Sequence, residues 1–228
     1  LAAQAPVAGY PEWTGDFALA GDLTDLGIAH AAPAPYAYEL VARLRQPLGS
    51  LQWRAAWTTN ALRPHVFRPD LPESVVLEGE IEGAGTLEQA EIKAQARAEG
   101  MPEGVWQAAL AGRLDRSGAR LDRLSMDGPA GRLRGDADIP FTGEDQRPVR
   151  ADLTWQDLRW SGTPLDSPEG RLQLNGTLAR YDLTLRALIK GAYANGAEPA
   201  TVELSGQGDR SELRIAALTA RGLLKGTM

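Results

Sequence analysis

The chain has 228 residues, of which 43% are hydrophobic and 24% charged, with a formal net charge of -6 and a pI near 5.1. That length suits one large β domain or two small ones, and the composition is neither disordered nor membrane-spanning. An acidic chain with its arginines spread along the whole length is no phosphate-backbone binder, so nucleic acid is not an expected partner.

There is no cysteine, which removes disulfides, thiolate catalysis and cysteine metal sites together. No run approaches the roughly 20 apolar residues that span a bilayer. Leu1 opens the chain without Met, a basic start or an apolar block, and Leu223 to Met228 break off inside a strand-like pattern. The sequence therefore reads as a segment of a longer chain.

Residues 1–35 form a loosely patterned lead-in, punctuated by Pro6, Pro11, Pro33 and Pro35, with Trp13, Phe17 and Leu19 suggesting a short strand. Residues 36–228 read as one repetitive β-sheet segment. Tyr36, Tyr38, Leu40, Ala42 and Leu44 alternate with more polar neighbours. After a turn at Pro47-Leu48-Gly49, Leu51, Trp53, Ala55 and Trp57 do the same. Period two means one apolar and one wet strand face, so the pair predicts a hairpin. Pro64, Pro69 and Pro72 make residues 60–74 a loop or a rough edge. Residues 86–99 satisfy two readings. Their Ala, Glu, Gln and Lys suit a helix capped by Thr86, whereas Ile92, Ala94, Ala96 and Ala98 alternate as a strand; the surrounding alternations favour strand.

The second half is clearer. Trp106 to Leu114, Gly131 to Ile139, Val149 to Trp155, Leu172 to Leu178, Tyr181 to Leu185, Val202-Leu204 and Leu213-Ile215 all alternate, with a turn signal at Asn195-Gly196. Gly170-Arg171-Leu172-Gln173-Leu174-Asn175-Gly176 resembles Thr201-Val202-Glu203-Leu204-Ser205-Gly206, an irregular internal repeat that points to stacked units. The 25 glycines, many within or at the ends of strands, suit a strongly curved sheet.

Every strand then offers an apolar face, and few helices are available to cover it. The sheet must close into a barrel, pair into a dry sandwich, or curl into an open trough filled by something else. Aliphatic side chains and few bulky aromatics favour the trough. About a dozen strands at roughly 4.8 Å would make it roughly 55–60 Å long, a track rather than a pocket for one lipid. Its lining would be Leu133, Ile139, Leu153, Trp155, Leu172, Leu174, Leu183, Leu185, Val202, Leu204, Leu213 and Ile215, a surface chemically matched to acyl chains.

Little else suggests chemistry, and neither an enzyme nor a cofactor is expected. His30 and His65 sit in proline-rich contexts without evident partners. Gly206-Gln207-Gly208 lacks the helix of a phosphate site and reads as a hairpin turn. Asp136 and Asp138, near Glu144 and Asp145, make a wet face and acidic loop rather than a Ca²⁺ site. Asn175-Gly176-Thr177 matches a glycosylation sequon, a short motif that recurs by chance. Asp122, Asp127, Arg123, Arg132 and Arg134 are placed for cross-strand ion pairs that fix register.

Three stretches carry a family resemblance: Ala151-Asp152-Leu153-Thr154-Trp155-Gln156-Asp157-Leu158-Arg159-Trp160, Gly170 to Tyr181 (GRLQLNGTLARY) and Ala119 to Ile139 (ARLDRLSMDGPAGRLRGDADI). Together with Leu51 to Pro64 they resemble the TamB family, the inner-membrane subunits of the translocation and assembly module, within the AsmA-like superfamily. The resemblance spans roughly Tyr36 to Met228 and is a texture of L-x-L-x-G strands rather than a set of catalytic residues. It implies a long curled β-sheet with an apolar groove, the β-taco, in the periplasmic region of a Gram-negative protein anchored in the inner membrane by a helix outside this segment. It also implies phospholipid transport to the outer membrane, and assembly of outer-membrane proteins with a BamA-like barrel partner, TamA. Three functions follow for the residues: a conduit for phospholipid acyl chains, a scaffold whose strand edges template outer-membrane proteins, or a plain spacer with a dry core.

Overall fold

The computed structural model describes residues 14–101, 103–141, 148–159, 165–191 and 199–222. The fold is all-β, and within each of two compact units every strand pairs antiparallel with its neighbours in sequence. Contacts group the chain into two compact units, residues 1–115 and 116–228.

The first unit holds β1 (Asp16–Gly21), β2 (Asp25–Ala32), β3 (Tyr38–Arg45), β4 (Gln52–Leu62), β5 (Val76–Gly85), β6 (Gln89–Met101) and β7 (Gly104–Asp115). Two of these strands lie within the lead-in, and β2 pairs with β3 over eight residues without a break. The ambiguous stretch is strand β6, paired with β5 and β7 along most of its length. Thr86 does cap, but it caps a hairpin turn: its hydroxyl accepts the backbone N–H groups of Glu88 at 3.1 Å and Gln89 at 3.3 Å. The helix-like composition is overridden because alternation lets one face of the segment continue an apolar row.

Tyr36 departs from the expected strand. The N–H groups of Tyr36 and Ala37 both reach the Pro33 carbonyl, closing a turn, and β3 begins only at Tyr38. The proline-rich segment after β4 holds a single 3₁₀ turn, Pro64–Val66, and folds back on the strand ends. Phe67 packs its ring 5.5 Å from Tyr36, and the Arg63 N–H donates to the Pro35 carbonyl at 3.1 Å. The buried residues of this unit are Ala32, Tyr36 and Val75, with His30 and Thr59 the polar ones, among those described.

The second unit holds β8 (Gly118–Gly128), β9 (Gly131–Pro140), β10 (Pro148–Arg159), β11 (Leu165–Thr177), β12 (Arg180–Gly191), β13 (Ala200–Gly208) and β14 (Leu213–Arg221). Its described buried apolar residues are few, Ala137, Pro140, Val149 and Ala187. Gly206-Gln207-Gly208 is not the turn but the end of β13. The turn follows it, where the Asp209 carboxylate accepts from the N–H groups of Ser211 and Glu212 and the Asp209 N–H donates to the Glu212 carbonyl. The glycines stay in the strand because Tyr181 lies across Gly208, where a Cβ would come within 2.5 Å of its ring. The Asn195-Gly196 signal lies outside the described residues.

Candidate functional site: a ladder of apolar rows

Register turns the alternation into surfaces. In the second unit, successive partners run Leu121–Ala137–Ala151–Leu174–Leu183–Gly206–Ile215 from β8 to β14. Beside this row runs Leu124–Gly135–Leu153–Leu172–Leu185–Leu204–Leu218. The next is Met126–Leu133–Trp155–Gly170–Ala187–Val202–Ala220. On the outer side Ala119 faces Ile139, and Val149, Gly176, Tyr181, Gly208 and Leu213 are successive partners. All twelve residues assigned from the sequence therefore lie on one face. Leu121, Leu124, Met126, Tyr181 and Leu218 lie there too and were missed.

For Leu121, Leu124 and Leu218 the reason is local. Two residues of β8, Asp122 and Arg123, stand opposite Asp136 alone, and Ala216 is an extra residue in β14. Each bulge moves the count by one, so apolar residues on the same face are three apart rather than two. The spacings Leu121-Leu124 and Ile215-Leu218 are the signal that strict period two discards.

The first unit carries its own apolar face. Its rows are Phe17–His30–Leu40–Trp57–Ile81–Ala94–Leu110 and Leu19–Ile28–Ala42–Ala55–Gly83–Ile92–Gly112. Aromatic rings step across it, Phe17 to His30 at 6.4 Å, His30 to Tyr38 at 5.4 Å and Tyr38 to Trp57 at 6.1 Å. His30 is thus a buried member of a stacked row.

Large side chains pave the second unit's face by lying over glycines. Trp155 covers Gly170, where a Cβ would approach the indole to 2.1 Å. Its Nε1–H donates to Ser167 Oγ at 2.8 Å, and that buried hydroxyl lies 2.8 Å from the Leu188 carbonyl. The indole edge is thereby satisfied, and the ring stays flat on the strand.

None of the leucines in these rows is buried among the described residues. They are half-buried on the inner strands and become exposed towards β14, where Leu213, Ile215 and Leu218 are 48%, 57% and 64% exposed. A dry sandwich core would bury these leucines fully, and each of them instead keeps some exposure. Leucine rows left against water are surface that a ligand's apolar part would cover at a gain of about 25 cal/mol per Å².

The opposite face is charged and satisfies itself. Arg171 forms a two-pronged ion pair with Asp152, Arg186 pairs with Glu203, and Arg134 reaches Asp127 at 2.7 Å. Arg43 grips Asp25 at 2.7 and 2.5 Å in the first unit. Several of these arginines reach a carboxylate two residues away along the neighbouring strand, which locks register at the diagonal position. The Arg171 guanidinium holds the Asp152 carboxyl below its ordinary range, against a smaller upward push from burial; Gln173 adds a further hydrogen bond. A concavity of about 660 Å³ opens here among Arg132, Arg134, Arg171 and Arg186, but each of these cations already faces a carboxylate. Asp136 lies 3.8 Å from Arg150, and no described cluster has the acidic or imidazole ligands of a metal centre. Glu144 and Asp145 lie outside the described residues.

No helix among the described residues is long and apolar enough to cross a membrane. Set against known protein families, curated proteins and solved structures, the chain matches none of them.

Proposed function

We propose that the chain is a periplasmic bridge segment of the TamB and AsmA-like kind, whose apolar face carries phospholipid acyl chains between the inner and outer membranes. One observation carries the reading: the rows through Leu172, Leu174, Leu183, Leu185 and Leu204 form a continuous aliphatic strip, none of whose leucines is fully buried. Acyl chains match that strip in chemistry, and neighbouring strands repeat it, so a lipid shifted by one strand meets the same surface.

Native mass spectrometry of the purified chain, with extraction and identification of bound lipid, tests this. Co-purified phospholipid is expected, lost in a Leu174→Arg variant that keeps its strand circular dichroism. A folded, lipid-free wild type would remove the proposal. Unfolding of Leu174→Arg would mark Leu174 as part of a sealed core and count against it as well.

The runner-up reading is a scaffold for outer-membrane protein assembly with a BamA-like barrel partner. The exposed residues of β1 and β14 favour it, since an accessible strand edge accepts an extended segment. It predicts binding of strand-forming peptides that compete for the edge, with no bound lipid.

A further inference from the structure

On the charged face of the second unit, Arg171 of β11 and Arg186 of β12 stand directly opposite one another in register. Like charges opposed across a strand pair repel, and the two guanidinium groups turn apart. Arg171 reaches back to Asp152 on β10, and Arg186 reaches forward to Glu203 on β13. Both arginines line the concavity of about 660 Å³, and both line a second one of about 450 Å³ that opens on the same face. We propose that this double hollow binds a neutral, polyhydroxylated ligand, a linear oligosaccharide, on the side of the sheet opposite the leucine rows.

Charge decides against an ion. Arg132, Arg134, Arg171 and Arg186 face Asp157, Asp127, Asp152 and Glu203 in turn, and Glu169 adds a fifth carboxylate to the lining. Four cations among five carboxylates offer an anion no net attraction. A cation would have to enter between guanidinium groups.

What the ion pairs leave over is a mixed set of donors and acceptors. Arg171 and Arg186 each pair through Nε and Nη2, so Nη1 of both has no partner among the described residues. In the neighbouring row Arg132 stands opposite Gln156, and Gln156 stands opposite Glu169. The Gln156 amide, the Glu169 carboxylate and the Thr201 hydroxyl line the larger hollow, and none of them has a hydrogen-bond partner among the described residues. The smaller hollow adds the hydroxyls of Thr184, Ser205 and Thr219. A sugar hydroxyl donates and accepts at once, so a saccharide meets guanidinium and amide donors together with carboxylate and hydroxyl acceptors. The volumes of both hollows are those of ordinary small-ligand sites. Because they share Arg171, Arg186 and Glu203, a ligand of several sugar units reaches from one into the other. Gln156 and Glu169 are exposed, so little apolar area is covered on binding and the affinity is low.

Saturation-transfer NMR on the purified chain tests the inference, with maltotetraose, cellotetraose and chitotetraose as probes. At least one of them is expected to bind and to shift the backbone amides of Gln156 and Glu169 in a titration. Gln156→Ala and Glu169→Ala should each weaken binding at least about fivefold, since each removes a hydrogen bond. Strand circular dichroism should not change in either, because both side chains are exposed. Glu169→Gln keeps an acceptor oxygen without the charge and should retain binding. Leu174→Arg alters only the opposite face and should bind sugar as the wild type does, so the result stands apart from the fate of the lipid reading. A chain that binds none of the three probes overturns the proposal, as does binding that ignores both alanine variants. Displacement of the sugar by inorganic phosphate overturns it too, because the arginines would then form an anion site.

Discussion

At the residue scale, the second unit depends on side chains that lie flat. Trp155 covers Gly170 and hands its N–H to Ser167, so three residues on two strands act together. Gly170→Val would force the indole off the sheet and should cost about 1–3 kcal/mol, read as a lowered midpoint in urea. Ser167→Ala leaves the indole N–H and the Leu188 carbonyl without that hydroxyl and should cost about 1–3 kcal/mol. On the charged face, Asp152 titrates below its ordinary value because Arg171 is bonded to it. A carboxylate whose pKa is depressed on folding contributes stability above its unfolded value of about 3.9 and loses that contribution as pH falls through the lower folded value. Asp152→Asn should therefore destabilise the chain at pH 7 by roughly 0.2–1 kcal/mol. The variant and wild-type stabilities should converge as pH drops below about 4, which thermal melts in a series of buffers would show.

At the element scale, bulges decide which side chains share a face. Ala216 stands without a partner between Ile215 and Ala217, which face Gly206 and Ser205. Deleting Ala216 should regularise β14, keep Leu218 on the apolar face and leave strand circular dichroism unchanged. Inserting one residue between Gln173 and Leu174 should instead turn the remainder of β11 over and destabilise the unit, because one step reverses every face. The same physics explains what the sequence disclosed. Alternation at Leu172, Leu174, Leu183 and Leu185 reports a face directly, so the all-β class and the common face of the twelve residues could be read. Leu121 and Leu218 could not, because the residues that bring them to the face are bulged, and a bulge is a property of two strands together. Tyr36 misled for a related reason: its spacing from Tyr38 fits a strand, yet the prolines before it close a turn. The glycines, read as points of curvature, also serve as the floor beneath Trp155 and Tyr181, a role visible only once the partner strand is known.

At the scale of the whole molecule, the energetics are unusual for 228 residues. Among the described residues few apolar side chains are fully buried, and most keep part of their area in contact with water. Unfolding should expose less new surface than it does for a compact protein of equal length, so the urea m-value should fall below that of such proteins. If acyl chains are the natural cover, adding a lysophospholipid below its micelle concentration should raise the melting temperature, since a ligand of the folded state stabilises it by mass action. The Leu174→Arg variant should gain less.

The order of pairing has a further consequence for how such a chain can change in length. Within each unit every strand touches its neighbours in sequence and carries the same division into apolar and charged faces. Loss or duplication of one strand would reverse the direction of all that follow, whereas loss or duplication of a hairpin restores direction and face together. Genes of this design should therefore lengthen and shorten by two strands at a time, and the likeness between Gly170–Gly176 and Thr201–Gly206, which lie two strands apart on β11 and β13, is the trace such a duplication would leave.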